Sequence, residues 1–206
     1  MLAVSSGEQQ RWVLEAYRNA SGRNLGDADF LAQLKVEDRA RNPIGDADAF
    51  KSALRYPAIN RYWFWRLDYI LWELYQNSPA SDLFSGLESG EKAAISAYRF
   101  KANRSIEHVH PQTSTEPWQE EDLHAFGNLA MISASFNSAQ SNDGVGTKFG
   151  RIKDQLVSRG ALESIKMLLM FKAADRSEAN WSEETANRHG KAMIDLLLRQ
   201  VAPAPC

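Results

Sequence analysis

The sequence predicts a mainly α-helical fold that contains one small pair of β-strands. Apolar residues recur at helical spacing along most of the 206-residue chain, and the clearest case is the run of Leu67, Ile70 and Leu71. Only two short stretches, 98–110 and 127–133, show the loose alternation or the short apolar run that is typical of strands. We therefore expect helices to build the core and the strands to form a small local element.

The helical elements follow from the apolar spacing together with N-cap residues and helix breakers. Asp27 or Asp29 is a suitable N-cap for the second segment, and Pro57 ends the third. Ser182 is a suitable N-cap for the last segment. The tryptophans of segment 61–76 are predicted to pack in a buried helix rather than to stack on bases. The predicted helices are 9–19, 27–41, 46–55, 61–76, 91–97, 162–173 and 183–200, with 77–89 as a loop or short helix.

Composition and charge limit the class of protein. No apolar run is long enough to span a bilayer, and the N-terminus lacks the basic and apolar regions of a secretory signal. The one cysteine, Cys206, excludes an internal disulfide framework and a cysteine zinc site, and it fits a reducing cytoplasm. The formal net charge is -2, so any binding of nucleic acid requires a local basic patch. We expect a cytoplasmic protein without a membrane segment.

The residues that indicate chemistry lie at the ends of the two predicted strands. Glu107 and His108 are at the end of the first strand, Gly127 and Asn128 begin the second, and Asn137 lies just beyond it. A strand pair followed by a helix can bring the acid, the histidine and the second asparagine to one point. Carboxylate and amide oxygens suit one Mg²⁺ or Mn²⁺ ion rather than zinc. The histidine, with an ordinary pKa near ~6.5, is then free to take a proton from water.

Three ordered motifs give the sequence a family resemblance. They are EHVHPQ at 107–112, FGNL at 126–129 and NSAQSN at 137–142, followed by Lys148. This order resembles the HNH-type nuclease domain that ends the GmrSD modification-dependent restriction enzymes and related phage-defence proteins. It also resembles the HNH domain of the CRISPR effector nuclease, in which the acid is aspartate. With its flanking helices the resemblance covers about 61–201.

The resemblance implies a ββα-metal core of the HNH, or His-Me finger, type within a mainly helical chain. It implies that Glu107 and Asn137 hold the metal ion and that His108 is the general base. Asn128 matches a position that pins the histidine-bearing loop through hydrogen bonds to the backbone. The sequence departs from the pattern at the longer acid, at the asparagine in the third HNH position and at Val145, where the family has an aromatic residue.

The resemblance also divides the chain. It implies a nuclease domain over 61–206 with a catalytic core at about 98–155, and it leaves 1–60 as a helical region that completes the core or docks a partner. Family members often carry a nucleotide-hydrolysing or DNA-sensing domain, and this sequence has no Walker-type glycine loop. We therefore expect a separate protein partner to supply sensing, or the chain to be a fragment, and homo-oligomers to be compatible with either.

Basic residues on both sides of the predicted core are candidates for phosphate contact. These are Arg104 before the core and Lys148, Arg151 and Lys153 after it, and the alternative for each is a solvated charge.

The other histidines are assigned lesser roles. His110 would share a strand face with the proposed base, and its role as a metal ligand is the less favoured alternative. His124 is expected to be a loop residue or to support the site, and His189 to lie on the surface.

The expected reaction is metal-dependent hydrolysis of phosphodiester bonds in DNA, in defence against phage or foreign DNA. Two alternatives stay open. One is an RNA-cleaving toxin on the same core, since the sequence does not separate DNA from RNA. The other is a non-catalytic nucleic-acid-binding subunit of a defence complex, against which the intact Glu107, His108 and Asn137 argue.

Overall fold

The computed structural model describes residues 27–100, 103, 105–134, 136, 143–174 and 180–201. Each predicted helix from segment 27–41 onward has a counterpart there, and predicted helix 9–19 lies outside the described residues. The helices are α1 Asp27–Arg41, α2 Ala47–Ala53, α3 Tyr62–Asn77, α4 Ser89–Ser96, α5 Glu120–Leu123, α6 Val145–Arg159, α7 Ile165–Ala173 and α8 Glu183–Val201. Short 3-10 helices occupy Asp82–Phe84 and Phe126–Asn128. The prediction of a mainly helical protein is confirmed.

Two N-caps show why helices begin where they do. Asp46 precedes α2 and its side chain accepts a hydrogen bond from the backbone N–H of Ala49 at 2.7 Å. Ser182 precedes α8 and accepts from the N–H of Thr185 at 3.2 Å, which confirms the predicted cap. Helix α2 ends two residues earlier than predicted because Arg55 leaves the helix to pair with another segment of the chain.

The two strands are antiparallel and short. β1 Ser105–His108 pairs with β2 Leu129–Ile132, and His108 lies opposite Leu129 at the end of the ladder. Upstream of β1, the side chain of Asn103 donates to the backbone carbonyl of Glu163 at 2.8 Å. This contact directs the chain toward α7 and not along β2, so β1 is shorter than the predicted stretch.

Helix α3 lies at the centre of the core. Its apolar face packs against α7, α8 and β2, and Leu67 and Leu71 are fully buried. The tryptophans of α3 contact the protein's own groups: Trp63 packs edge-on against Phe50, and the indole N–H of Trp65 donates to a backbone carbonyl. The predicted core role of this helix is therefore confirmed.

A buried carboxylate on α3 connects three segments. Asp68 accepts hydrogen bonds from the Ser164 hydroxyl at 3.1 Å, the Lys166 backbone N–H at 2.9 Å and the Tyr98 hydroxyl at 3.2 Å. Burial raises the pKa of Asp68 to about 6, despite these three donors. The contacts hold the start of α7 and the end of α4 against the central helix.

Helix α1 is also attached to α3. Asp38 forms a buried ion pair with Arg66 and accepts a hydrogen bond from the Tyr62 hydroxyl at 2.6 Å. Leu34 and Leu54, from the part of region 1–60 that the structure describes, are buried in the core. These contacts attach the described part of this region to the core. In the described ranges, no helix has both the length and the apolar character needed to cross a membrane.

Two glycines allow the turn before β2 to contact α8 closely. A Cβ at Gly127 would lie 2.0 Å from the carbonyl oxygen of Ala186, and a Cβ at Gly190 would lie 2.8 Å from the Cα of Gly127. The turn and the helix therefore meet backbone to backbone, and this contact sets the position of Asn128 next in the chain.

We predict that Gly127→Ala destabilises the protein by at least about 1–3 kcal/mol, because the new methyl group overlaps backbone that cannot move without shifting α8. The matched control is Gly150→Ala inside α6, where a Cβ meets nothing within 4 Å. That change should stabilise by about 0.5–1 kcal/mol, as expected for replacing a helical glycine. Denaturant unfolding of the two variants measures both effects; equal stabilities would contradict the close contact.

Candidate active site

His108 lies at the end of β1 within a cluster of rings. Its side chain is buried, and its Nε2 lies 3.0 Å from Nδ1 of His124. The ring of Tyr56 contacts both imidazoles, with centroids 4.9 Å from His108 and 5.5 Å from His124. The side-chain nitrogen of Gln112 lies 3.2 Å from Nδ1 of His108 and 3.3 Å from Nε2. The position of the imidazole is thus determined by three other side chains.

Backbone pairing holds the two partner rings in place. The N–H of Tyr56 donates to the carbonyl of His124 at 3.0 Å, and Arg55 forms an isolated antiparallel bridge with Ala125. Two segments distant in the sequence therefore form one wall beside His108.

The ring nitrogens of His108 have two polar neighbours. Nε2 shares a hydrogen bond with Nδ1 of His124, and the tautomer decides which of the two donates. The side-chain nitrogen of Gln112 is almost equally distant from both ring nitrogens, so it does not select a tautomer. Burial, the neighbouring imidazole and the nearby ammonium of Lys148 lower the pKa of His108 to about 4. At neutral pH the ring is uncharged and has one nitrogen able to accept a proton.

Glu107 is held by a buried lysine from α6. The Lys148 ammonium forms an ion pair with the Glu107 carboxylate and donates to the carbonyl oxygen of His108 at 2.5 Å. Burial raises the pKa of Glu107, and the contact with Lys148 opposes this rise. Lys148 is only 1% exposed. The structure thus places this lysine beneath the site, where it binds the protein itself, and not on a surface open to a phosphate as the sequence had led us to expect.

Asn128 has the backbone contacts that the family resemblance implied. Its side-chain oxygen accepts from the N–H of His110 at 2.8 Å, and its side-chain nitrogen donates to the carbonyls of His110 at 3.1 Å and Leu123 at 2.9 Å. The indole N–H of Trp181 donates to the same oxygen at 3.0 Å. Fully buried, Asn128 fixes the chain that follows His108 and ties it to the segment before α8.

Two further histidines are buried. The ring of His110 stacks on Trp118, with centroids 4.2 Å apart, and its Nε2 lies 2.9 Å from the carbonyl oxygen of Glu116. Among the described residues, its side chain therefore packs on a tryptophan and forms a hydrogen bond with the backbone. His189 was expected on the surface and is instead buried against Trp181. That expectation was wrong, because α8 presents this face to the core.

Of the four remaining predicted site residues, the structure describes two, and both lie on α6. Arg151 forms an ion pair with Asp143 at 2.7 Å, and Lys153 is exposed on α6. Asn137 and Arg104 lie outside the described residues. Within the described ranges, no group of three or more histidine, cysteine, aspartate or glutamate side chains is arranged to hold a metal ion.

The rings of His108, His124 and Tyr56 form the ring cluster, with Gln112 beside it. Two of these residues, Tyr56 and Gln112, were given no role from the sequence. Gln112 belongs to the motif that follows His108, and that position was a usable signal. Tyr56 lies far away in the sequence, and the backbone pairing of Arg55 and Tyr56 with the segment 124–125 brings it to the site. His124 was assigned a supporting role without a partner, and its partner is His108.

Comparisons with known proteins agree with the motifs in this region. Residues 45–196 match the family described as GmrSD restriction endonucleases, C-terminal domain. The match spans α2 to most of α8 and includes the ring cluster, Asn128 and both strands. Neither a search of curated proteins nor a search of solved structures found a match. Because the family match covers well over half of the chain, this protein belongs to the family of the C-terminal domain of the GmrSD restriction endonucleases.

Proposed function

We propose that the chain is an HNH-type endonuclease that hydrolyses phosphodiester bonds in DNA with the help of one Mg²⁺ or Mn²⁺ ion. The observation that carries the proposal is the buried imidazole of His108, which shares a hydrogen bond with His124 and follows Glu107 at the end of β1 in a restriction endonuclease domain. The order of the elements also supports an HNH core of the ββα-metal type. β1 and β2 are followed by α6, whose Lys148 is paired with Glu107.

His108 acts as the general base in this proposal. Its Nδ1 takes a proton from the water molecule that attacks phosphorus. As the ring becomes charged, its Nε2 donates a hydrogen bond to Nδ1 of His124, which keeps the ring in place. Gln112 must turn aside to admit the water, since its amide occupies the region next to Nδ1.

The donor set fits a hard divalent cation. Glu107 supplies one carboxylate, and the proposed second ligand is the side-chain oxygen of Asn137, which lies outside the described residues. When bound, the ion would stabilise negative charge on the phosphate and on the leaving oxygen. Lys148 forms an ion pair with the same carboxylate, so the lysine and the metal would share it.

DNA is the substrate that a restriction endonuclease family favours. We extend the proposal to an effector in defence against phage or foreign DNA that acts with a sensing partner protein in the cytoplasm. Arg104, Arg151 and Lys153 stay candidates for phosphate contact. An RNA-cleaving toxin is the competing outcome of the assay that follows.

We predict that purified protein nicks or linearises plasmid DNA in Mg²⁺ or Mn²⁺ and loses this activity in EDTA. Gel assays with plasmid DNA, linear DNA and RNA measure it. Glu107→Gln should weaken the response to metal, because the amide is a poorer ligand than the carboxylate. Glu121→Gln, an exposed position on α5, should not weaken it. Full activity in EDTA would contradict the proposed dependence on metal. Cleavage of RNA but not of DNA would show that the substrate is RNA.

We predict that His108→Ala lowers the cleavage rate about 10²- to 10⁴-fold, the usual cost of losing a general base. Binding of metal should persist, since the imidazole is not proposed as a ligand. Circular dichroism and thermal unfolding serve as controls for the fold. A variant that is folded and cleaves at the wild-type rate would remove His108 from the mechanism.

We predict that His124→Ala lowers kcat roughly 10- to 100-fold with little change in KM, as is typical when the group that orients a working histidine is lost. His124→Asn should restore part of the rate, because its side-chain oxygen can accept the proton of Nε2 of His108. Tyr56→Phe is the control, since it keeps the ring contact. Equal rates for all three variants would show that His124 only fills space.

A further inference from the structure

A groove of about 620 Å³ lies beside the ring cluster, between α2 and α8. The segment from Ala125 to Gly127 forms its floor, where the absence of side chains at Gly127 and Gly190 brings the two backbones together. The groove contains none of the residues assigned to the reaction, so its role needs a separate explanation.

The groove is lined by three basic side chains and one acidic side chain, Asp195. Lys51 and Arg55 lie on the side of α2, and Lys191 lies on α8. Lys51 is paired with Asp48 at 2.9 Å and Lys191 with Asp195 at 2.8 Å. Both pairs are exposed, and such pairs are weak enough for a phosphate group to compete for the lysine.

Arg55 is the least satisfied of the three cations. Its guanidinium donates to the carbonyl of Glu120 at 3.1 Å, and among the described residues it makes no ion pair with a carboxylate. A guanidinium has five N–H donors in a planar fork, so donors remain for a phosphate. The groove thus combines positive charge with free donors in a chain whose formal net charge is -2.

The groove and the candidate active site share a wall. Arg55 faces the groove, and the next residue, Tyr56, contacts the ring of His108. On the opposite segment, Ala125 lines the groove and the preceding His124 holds His108 by a hydrogen bond. A polymer with one phosphate at His108 could place a neighbouring phosphate over this wall and into the groove.

We propose that this groove binds the sugar–phosphate backbone of the DNA substrate next to the scissile bond, with Arg55 as its principal phosphate contact and Lys51 and Lys191 as supporting contacts. This inference rests on the proposed nuclease function. Lys148 was expected to contact phosphate but is buried, so the groove is the proposed source of positive charge that DNA can reach.

The test measures binding and not cleavage, so that it is independent of the chemistry. In a His108→Ala background, the affinity for a short fluorescent DNA duplex is measured by anisotropy at several salt concentrations. Arg55→Gln and the pair Lys51→Gln/Lys191→Gln should each weaken binding. Each lost phosphate contact should lower the slope of log Kd against log salt by about 0.9.

Two controls separate charge from folding. Lys92→Gln and Arg159→Gln remove exposed cations from α4 and α6, outside the groove, and should leave the slope unchanged. Arg55→Lys keeps the charge and should recover most of the affinity. If Arg55→Gln unfolds, the exposed lysine pair carries the test. If the groove variants and the control variants give the same slope of log Kd against log salt, the groove does not bind the DNA backbone. Cleavage by the wild type, and with it the proposed function, would not be affected by that result.

Discussion

The candidate site depends on two interactions of the buried Lys148 ammonium, an ion pair with Glu107 and a hydrogen bond to the backbone of His108. It lies buried between the Glu107 carboxylate and the His108 carbonyl, and so joins α6 to the end of β1. A second buried lysine, Lys166 on α7, donates to the carbonyl of Leu129 on β2 at 2.5 Å. Leu129 is the residue of β2 that lies opposite His108. A buried charge is costly unless it is paired and hydrogen-bonded, so Lys148 constrains where the end of β1 can lie. Burial lowers the pKa of Lys166 to about 7, and its hydrogen bond holds the start of β2.

The sheet needs this support because it is very small. A single two-stranded hairpin is at best marginally stable in water. Here β2 is buried along its whole length, and α3 and α7 pack against it. Asn128 and Trp181 attach the sheet to the segment before α8. The helices therefore serve as a scaffold that holds two short strands, and with them one histidine, in a defined position.

The surroundings of His108 and the proposed groove differ in charge and in contact with solvent. Around His108 the structure removes water and adds the positive charge of Lys148, and the pKa of the imidazole falls. Next to it, across the Arg55–Ala125 bridge, cations remain in contact with solvent. Tyr56 and His124, which contact the uncharged imidazole of His108, directly follow Arg55 and directly precede Ala125 in the lining of the groove.

The mainly helical class, the central helix α3, the two strands and the family could all be predicted from the sequence. Periodic spacing and short ordered motifs are local properties of the chain, so they can be recognised without the tertiary structure. The sequence also pointed to His108 and to the backbone contacts of Asn128. Only the tertiary structure decided the partners of the site: it buried Lys148 and His189, brought Tyr56 to His108, and paired His124 with the same ring. Burial and contacts between distant segments depend on how helices pack, and a charged residue in a helix has the same sequence pattern whether its charge meets water or a buried carboxylate.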